Sequence, residues 1–262
     1  WMHASLPYAE QNPLYQKFGN IDGPITQTGD WPGAHGFGSS AQAMECRATI
    51  LKIQQCPSDR SHVMNEKNNT YYIRARGNYR ACTGNGDAYG TNPVGAPTGY
   101  VPAGGVFMVQ RGAVFAGPTP PEHSTFGKIS DGSSNTVMLS EGLKCCIDVW
   151  STVNDVSLGN MGGTFYSHFN TPNSTSADRV WGPCPQNQGD AGYRAPCTTL
   201  GGPNRPSGNH NNNQRTAHAA ARSHHPAGVV VGMADGSTRF IMNSIDAVSW
   251  RAMGTRDQGD TI

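Results

Sequence analysis

The sequence predicts an α+β fold, in which an antiparallel sheet carries short helices and long loops. The strongest signal lies near the C-terminus, where two apolar runs, residues 229–233 and 238–241, flank Asp235-Gly236. An Asp-Gly pair between such runs is typical of a β-hairpin with a type I′ turn, because both central residues of that turn take positive φ. Composition agrees, since 33 glycines and 18 prolines among 262 residues favour short elements joined by turns.

Shorter signals predict the other elements in chain order. Residues 5–18 predict two short helical turns broken at Pro13, since proline removes a helical hydrogen bond. Residues 41–53 predict a short helix or a strand. Further strands are predicted from β-prone or apolar runs at 70–73, 105–109 and 136–140, of which the last follows a turn and is buried.

A short helix is expected after the hairpin. Ser244 is its predicted N-cap, Asp246 stands in its first turn and Gly254 follows its last turn. Its buried stripe would consist of Ile245, Val248 and Met253.

Long stretches between these elements lack hydrophobic periodicity. The longest covers about residues 155–223, and we interpret residues 1–262 as one globular domain with this irregular insertion. A loop of that length is expected to be functional, cross-linked or wrapped around a partner.

Seven cysteines occur, at positions 46, 56, 82, 145, 146, 184 and 197. Without a C-x-x-C pair, neither a zinc ribbon nor a thioredoxin-type motif is favoured. Cys184 and Cys197, in a segment rich in proline and glycine, are one candidate disulfide, and Cys56 with Cys82 is another. The odd number leaves at least one thiol free or paired outside this segment.

The charge pattern excludes two classes of partner. The 19 basic and 18 acidic residues give a net charge of +1 without a block of Lys or Arg, so we expect neither nucleic acid nor an anionic membrane surface. The sequence contains no signal peptide and no apolar run long enough to span a membrane. Because the chain begins abruptly at Trp1, we expect it to be the remainder of a longer protein.

Histidines near the hairpin form one candidate site together with Asp235. They are His210, His218, His224 and His225. Clustered imidazoles can bind zinc or copper or act as general bases, but these spacings match no metal template. Because His225 enters a strand directly, we favour a local hydrogen bond to the hairpin or a neighbouring loop, and we keep metal binding or catalysis as the alternative.

The acidic turn from Asp131 to Asn135 is a second candidate, with Asp59 and Asp235 as further oxygen donors. Such oxygens can bind calcium, although the spacing is not that of an EF-hand loop. The favoured alternative is a turn in which Asp131 and Asn135 bond to backbone N–H groups.

Two further chemistries have weaker support. Ser130 and Ser140 lie beside Asp131 and Glu141, but no G-x-S-x-G elbow is present, so we do not expect an enzyme. The tryptophans could stack on sugars, although such residues more often anchor a core or an interface. They are Trp1, Trp31, Trp150, Trp181 and Trp250.

Several short motifs follow one another along the chain. They are L-P-Y-A-E-Q at 6–11, Cys56-Pro57-Ser58-Asp59, G-N-Y at 77–79 before Cys82, D-G-S-S-N-T at 131–136 continuing to S-E at 140–141, and His225 followed after nine residues by Asp235-Gly236. This series, which spans nearly the whole chain, resembles a large planctomycete family of prepilin-like proteins with a C-terminal H-x9-DG motif.

The resemblance implies the head domain of a type IV pilin or a type II secretion pseudopilin, from which the N-terminal stem helix is missing. It implies a structural subunit of an extracellular or cell-surface filament, built as a homopolymer of identical or related subunits and anchored in the membrane before assembly only through that missing helix. No cofactor is expected except calcium, which some pseudopilin heads bind in a C-terminal loop. The alternative function is a surface module that binds polysaccharide, and a metal-dependent hydrolase is the least favoured.

Overall fold

The computed structural model describes residues 1–2, 4–17, 41–60, 64–65, 73–87, 92–93, 95–107, 125–146, 161–180, 184–199 and 216–259. Within these ranges the predicted α+β class is confirmed. The α-helices are α1 (Asn12–Lys17), α2 (Ala41–Ala48) and α3 (Ala247–Gly254). Single turns of 3-10 helix occur at Leu6–Ala9, Lys52–Gln54, Phe126–Lys128 and Pro185–Gln188.

The strands are short. They are β1 (Met64–Asn65), β2 (Arg74–Ala75), β3 (Tyr79–Cys82), β4 (Val137–Glu141), β5 (Phe165–Tyr166), β6 (Asp178–Val180), β7 (Cys197–Thr199), β8 (Gly228–Met233) and β9 (Thr238–Met242). The central sheet has the order β5-β3-β4-β8-β9, and β1–β2 and β6–β7 form separate pairs. All neighbours in the central sheet are antiparallel except β3 and β5, which run parallel.

The β8–β9 hairpin lies where the sequence predicts it, but its turn is of another type. Gly236 has a φ of 85°, and Asp235 does not share the positive φ that a type I′ turn requires. The Gly236 N–H donates to the Met233 carbonyl at 3.0 Å, and the Met233 N–H donates to the Ser237 carbonyl at 2.8 Å. The loop is therefore a type I turn followed by a left-handed glycine. The type I′ prediction is wrong because the loop has one more residue than a two-residue turn.

One face of the central sheet carries the hydrophobic core. Val229, Val231 and Met233 of β8 are buried there, together with Val137 of β4 and Trp250 of α3. Alternate residues of β8 thus face inward, as the period of a strand requires.

The cap and the buried face of α3 differ from the prediction. Asp246 is the N-cap, because its Oδ2 accepts the N–H groups of Val248 and Ser249 at 2.9 and 3.0 Å. Val248 is 72% exposed, whereas Trp250 and Met253 are buried. The predicted stripe is wrong at Val248, since a helix that begins after Asp246 turns Trp250 and Met253, three residues apart, toward the core.

Three other predictions for the first half of the chain need adjustment. Pro13 lies in the first turn of α1, where its missing N–H costs no hydrogen bond, so it begins this helix instead of breaking it. Of the strand predicted at 105–109, the described residues 105–107 are not in a strand. Arg74 begins β2, one residue after the β-prone run 70–73, and residues 70–72 and 108–109 lie outside the described ranges.

The segment 155–223 contributes to the core in its described parts. It supplies β5, β6 and β7, each of two or three residues, which is too short to produce a periodic pattern in the sequence. Its buried apolar residues include Tyr166, Val180, Tyr193, Ala195, Ala219 and Ala221.

The two candidate disulfides have different outcomes. Cys184 and Cys197 are bonded, as predicted. Cys56 and Cys82 are both free. Cys82 is fully buried in β3 with its Sγ directed to the Gly254 carbonyl, while the Cys56 Sγ lies 3.1 Å from the Ser58 hydroxyl. A Cys56–Cys82 bond does not form because the two side chains are held by different surroundings.

In the part of the chain that the structure describes, no helix combines the length and the apolar character needed to span a membrane.

Candidate functional site

Four of the sequence motifs meet in one polar cluster beside strands β3, β4 and β8. We call this group the motif cluster, and its members are Asp59, Asn78, Glu141, His224 and His225. Asp59 belongs to the C-P-S-D motif, Asn78 to G-N-Y, Glu141 to S-E and His225 to H-x9-DG. His224 directly precedes His225.

Asp59 is the centre of the motif cluster. Its side chain is only 2% exposed. Four donors surround the carboxylate: Asn78 Nδ2 at 2.5 Å, the Arg60 N–H at 2.7 Å, the Lys144 N–H at 2.8 Å and His224 Nε2 at 2.9 Å. A buried carboxylate is costly unless it is hydrogen-bonded, and here both oxygens have partners. Asp59 therefore joins its own loop to the end of β4 and to the approach to β8.

Asn78 also links the C-P-S-D loop to the residues that follow β4. It directly precedes β3, and its side chain is buried. Its Oδ1 accepts the Cys56 N–H at 2.8 Å, and its Nδ2 also donates to the Gly142 carbonyl at 2.9 Å. The Gly142 N–H donates in turn to the Asn78 carbonyl at 2.6 Å. Asn78 thus uses its side chain and its backbone to hold the C-P-S-D loop against the sheet.

His225 and Glu141 form the second half of the cluster. His225 Nε2 lies 3.3 Å from Glu141 Oε1, and Glu141 Oε2 accepts the Val230 N–H at 2.7 Å. The His225 ring also meets the Phe240 ring edge-on, with centroids 6.1 Å apart. His225 thus contacts Phe240 of the hairpin through its ring and Glu141 of strand β4 through its Nε2, whereas the partners considered from the sequence were the hairpin and a neighbouring loop.

Tyr79 borders this part of the cluster, since it lies opposite Glu141 in the β3–β4 register. Burial raises the pKa of Tyr79, and nearby Cys56 and Glu141 raise it further. The phenol therefore stays protonated at neutral pH.

Two charged side chains, Lys144 and Arg60, border the cluster. Lys144 Nζ donates to Gln55 Oε1 at 2.7 Å, and burial lowers the pKa of this lysine despite the nearby Asp59. Arg60 forms an ion pair with Asp190 at 2.6 Å, and the Cys146 N–H donates to the same carboxylate at 2.7 Å. These contacts fix both ends of the C-P-S-D loop.

The histidines do not converge on a common centre. His224 and His225 turn to different carboxylates, and His218 lies elsewhere, buried against Phe169 and 3.2 Å from the Ala177 carbonyl. His210 lies outside the described residues. Among the described residues, no group of three or more His, Cys, Asp or Glu side chains is placed to hold a metal ion.

Asp235 is also distant from this site. The six residues of β8 separate His225 from the turn, a span of roughly 20 Å. The Asp235 carboxylate instead accepts the backbone N–H and the hydroxyl of Ser237, at 2.8 and 2.6 Å. Gly236 supplies the positive φ of the turn. The two ends of the H-x9-DG motif thus serve opposite ends of one strand.

In the turn considered as a calcium site, the Asp131 carboxylate accepts hydrogen bonds from the backbone. Asp131 Oδ1 accepts the Gly259 N–H at 2.7 Å, and Oδ2 accepts the Gln258 N–H at 3.0 Å. Asn135 Nδ2 lies 3.4 Å from the Asp131 carbonyl. The Asp131 carboxylate therefore holds the segment after α3, whereas Asn135 closes the turn itself.

Of the serine and tryptophan candidates, Ser140, Trp1 and Trp250 make contacts within the fold, whereas Ser130 is an exposed turn residue. The Ser140 hydroxyl is buried and donates to the Val230 carbonyl at 3.4 Å. Trp250 is fully buried with its Nε1 donating to the Asn170 carbonyl, and Trp1 Nε1 donates to the Thr164 carbonyl. Trp31, Trp150 and Trp181 lie outside the described residues.

No motif in the sequence points to the buried histidine His168. Its Nδ1 lies 2.5 Å from the Trp250 carbonyl and its Nε2 lies 3.0 Å from the Tyr166 hydroxyl. Burial lowers the pKa of His168 to about 3, so the ring is neutral. A Cβ on Gly254 would stand 2.5 Å from His168 Cγ, so the absence of a side chain at Gly254 makes room for the ring.

Comparisons with known proteins place the chain in one family. No curated protein and no solved structure matches it. The family model SBP_bac_10, described as "Protein of unknown function (DUF1559)", matches residues 1–248. This match includes every member of the motif cluster, and the chain belongs to the DUF1559 family.

Proposed function

We propose that this chain is the globular head of a pilin-like structural subunit that assembles outside the cell. The observation that carries the proposal is the use of the motif cluster, whose side chains join separate segments of the chain to one another. The pilin-like part rests on the resemblance of the ordered motifs to prepilin-like proteins.

The hydrogen bonds of the cluster favour a structural role over catalysis. A general base must reach a proton of the substrate with a free lone pair. Asp59 already accepts from Asn78, Lys144 and His224, and Glu141 accepts from Val230 and contacts His225. Removing these bonds for catalysis would leave buried polar groups without partners, at a cost of about 1–3 kcal/mol for each group.

The disulfide between Cys184 and Cys197 supports assembly outside the cytoplasm. Disulfides persist in oxidising compartments and are rare in the cytosol. A composition with few charged residues and many glycines suits a subunit that packs against its neighbours, and only 14% of the residues in this chain are charged.

Electron microscopy of native cell-surface material tests the proposal. Antibodies raised against this chain should label regular polymers with one repeating subunit, and the label should vanish when the coding sequence is deleted. Labelling confined to dispersed material, with no polymer in either sample, would contradict the proposal. Retention of the purified chain on a glycan array would instead support the polysaccharide-binding alternative.

A further inference from the structure

Among the described residues, no strand pairs with the outer edge of β9. Met233 and Ser237 form a hydrogen-bonded position at the end of the hairpin, and such positions alternate along an antiparallel pair. The N–H and C=O groups of Arg239 and Ile241 therefore point to β8. Those of Thr238, Phe240 and Met242 point away from the sheet, and no described strand pairs with them. The Met242 carbonyl accepts the Ile245 N–H at 3.1 Å, so the open groups are those of Thr238 and Phe240 and the N–H of Met242.

Apolar side chains accompany these open backbone groups. Phe240 is 51% exposed, Met242 is 58% exposed, and Val230, which lies opposite Phe240 on β8, is 37% exposed. Proteins usually protect edge strands with lysine, proline, bulges or a covering segment. The strand T-R-F-I-M contains neither lysine nor proline, and its one charged residue is Arg239. The three residues whose backbone groups point away from β8, Thr238, Phe240 and Met242, are uncharged.

The opposite edge of the sheet is covered. Strand β5 is only two residues long, and the residue that follows it, Ser167, donates its N–H to the Ala219 carbonyl at 2.8 Å. The Phe165 carbonyl accepts the Gly162 N–H at 2.9 Å. Within the described residues, β9 is thus the edge at which a further strand can be added.

We propose that β9 pairs antiparallel with β9 of a second copy of this chain, about a twofold axis at Phe240. The inference rests on the proposed function, since it names one contact that joins two subunits. A twofold contact closes on a pair, so a polymer also needs a second kind of contact. In this register Phe240 exchanges two hydrogen bonds with its copy, and Thr238 lies opposite Met242. A second β9 strand offers the same open N–H and C=O groups, so each copy can bond to the other through identical residues, as an isologous interface requires.

Charge and packing agree with self-pairing. Each Arg239 lies opposite Ile241 of the second copy, so no like charges face each other across the pair. Val230, Phe240 and Met242 of the two copies form one continuous apolar strip across the axis. Pairing therefore removes both the open backbone groups and the exposed apolar surface from water.

Sedimentation equilibrium on the purified chain tests the pairing. The chain should show a concentration-dependent dimer. Phe240→Pro removes an N–H that points only to the open edge, and edge strands tolerate proline at such positions. It should raise the dimer Kd by at least about tenfold, as should Met242→Lys, which adds a charge to the strip.

Val248→Lys is the matched control, because Val248 is an apolar residue that is 72% exposed and lies on α3, outside β9. It should leave the dimer Kd unchanged. A monomer at all concentrations, or a dimer that neither Phe240→Pro nor Met242→Lys weakens, would overturn the pairing. Circular dichroism on each variant identifies a variant that fails to fold, and the other variant then decides.

The two proposals fail in different ways. If native polymers form but the purified chain shows no dimer that the β9 variants weaken, the pairing is wrong and the filament proposal stands. If native material contains no polymer while the purified chain forms a dimer that the variants abolish, the pairing stands and the filament proposal is wrong.

Discussion

The imidazole of His168 lies parallel to the indole of Trp250, with ring centroids 3.5 Å apart and an angle of 8° between the planes. This contact joins the end of β5 to α3, two elements that are distant in the sequence. Because the imidazole is fully buried and neutral, the packing of α3 on the sheet depends on a ring that must remain unprotonated.

Acid should therefore destabilise the protein through His168. The pKa of this group falls from 6.5 to about 3 on folding, so between these values the unfolded chain binds more protons than the folded one. Stability is then fully present above the unfolded pKa and declines as the pH falls below it. Urea unfolding between about pH 7.5 and pH 4.5 measures this decline.

His168→Phe isolates that contribution, since it keeps an aromatic ring over Trp250 and removes the titrating group. The variant should be less stable than the natural chain at neutral pH, because it loses two hydrogen bonds. Its stability should nevertheless change less between the two pH values. Equal pH dependence in both proteins would show that His168 is not the group responsible.

Gly254→Ala should destabilise the fold by about 1–3 kcal/mol, because overpacking a filled core forces side chains from their preferred positions. The added methyl would lie 2.5 Å from His168 Cγ. Gly232→Ala is the matched control, since its Cβ would meet Leu139 Cβ at an ordinary 3.6 Å. Chemical denaturation should separate the two variants, and a Gly254→Ala protein as stable as the Gly232→Ala protein would refute the close packing.

Asp59→Ala should cost about 2–4 kcal/mol of unfolding free energy. It leaves Asn78, the Lys144 N–H and His224 without their acceptor, and unsatisfied buried groups are expensive. Asp257→Ala, at an exposed carboxylate beside Arg256, should cost less than about 0.5 kcal/mol. Similar denaturation midpoints for the two variants would argue against the central role of Asp59.

Removal of the disulfide by Cys184→Ser with Cys197→Ser should cost about 3 kcal/mol, as expected for a loop of this length. The melting temperature of the natural chain should then fall in the presence of a reductant, whereas that of the double variant should not change. Cys146→Ser, at an exposed free thiol, serves as the control and should retain the response to reductant. A natural chain that is insensitive to reductant would contradict this prediction.

The hairpin and β4 could be predicted because their signals are local. Apolar runs and turn residues lie next to each other in the sequence, and the backbone follows them. The error at α3 is also local, since Ser244 and Asp246 both offer an oxygen for an N-cap. The sequence alone does not show which of the two residues has the β-region backbone that a cap requires.

The contacts of the motif cluster could not be predicted in the same way. The motifs singled out Asp59 and His225, but Asp59 pairs with His224, 165 residues away, and His225 with Glu141. His168 had no local pattern at all, because β5 is two residues long. Such pairings depend on the order of strands in the sheet, which no single segment encodes.

Glu141 carries a broader implication for residues that recur in short motifs. Its Oε2 takes the place of a main-chain carbonyl for the Val230 N–H, just past the last β4–β8 pair, Ser140 with Val231. An alanine at this position would remove the acceptor of the Val230 N–H and weaken the sheet, whether or not the protein binds a substrate. An acidic residue in a motif can therefore be required by the strand beside it, and its acidity then reveals nothing about a reaction.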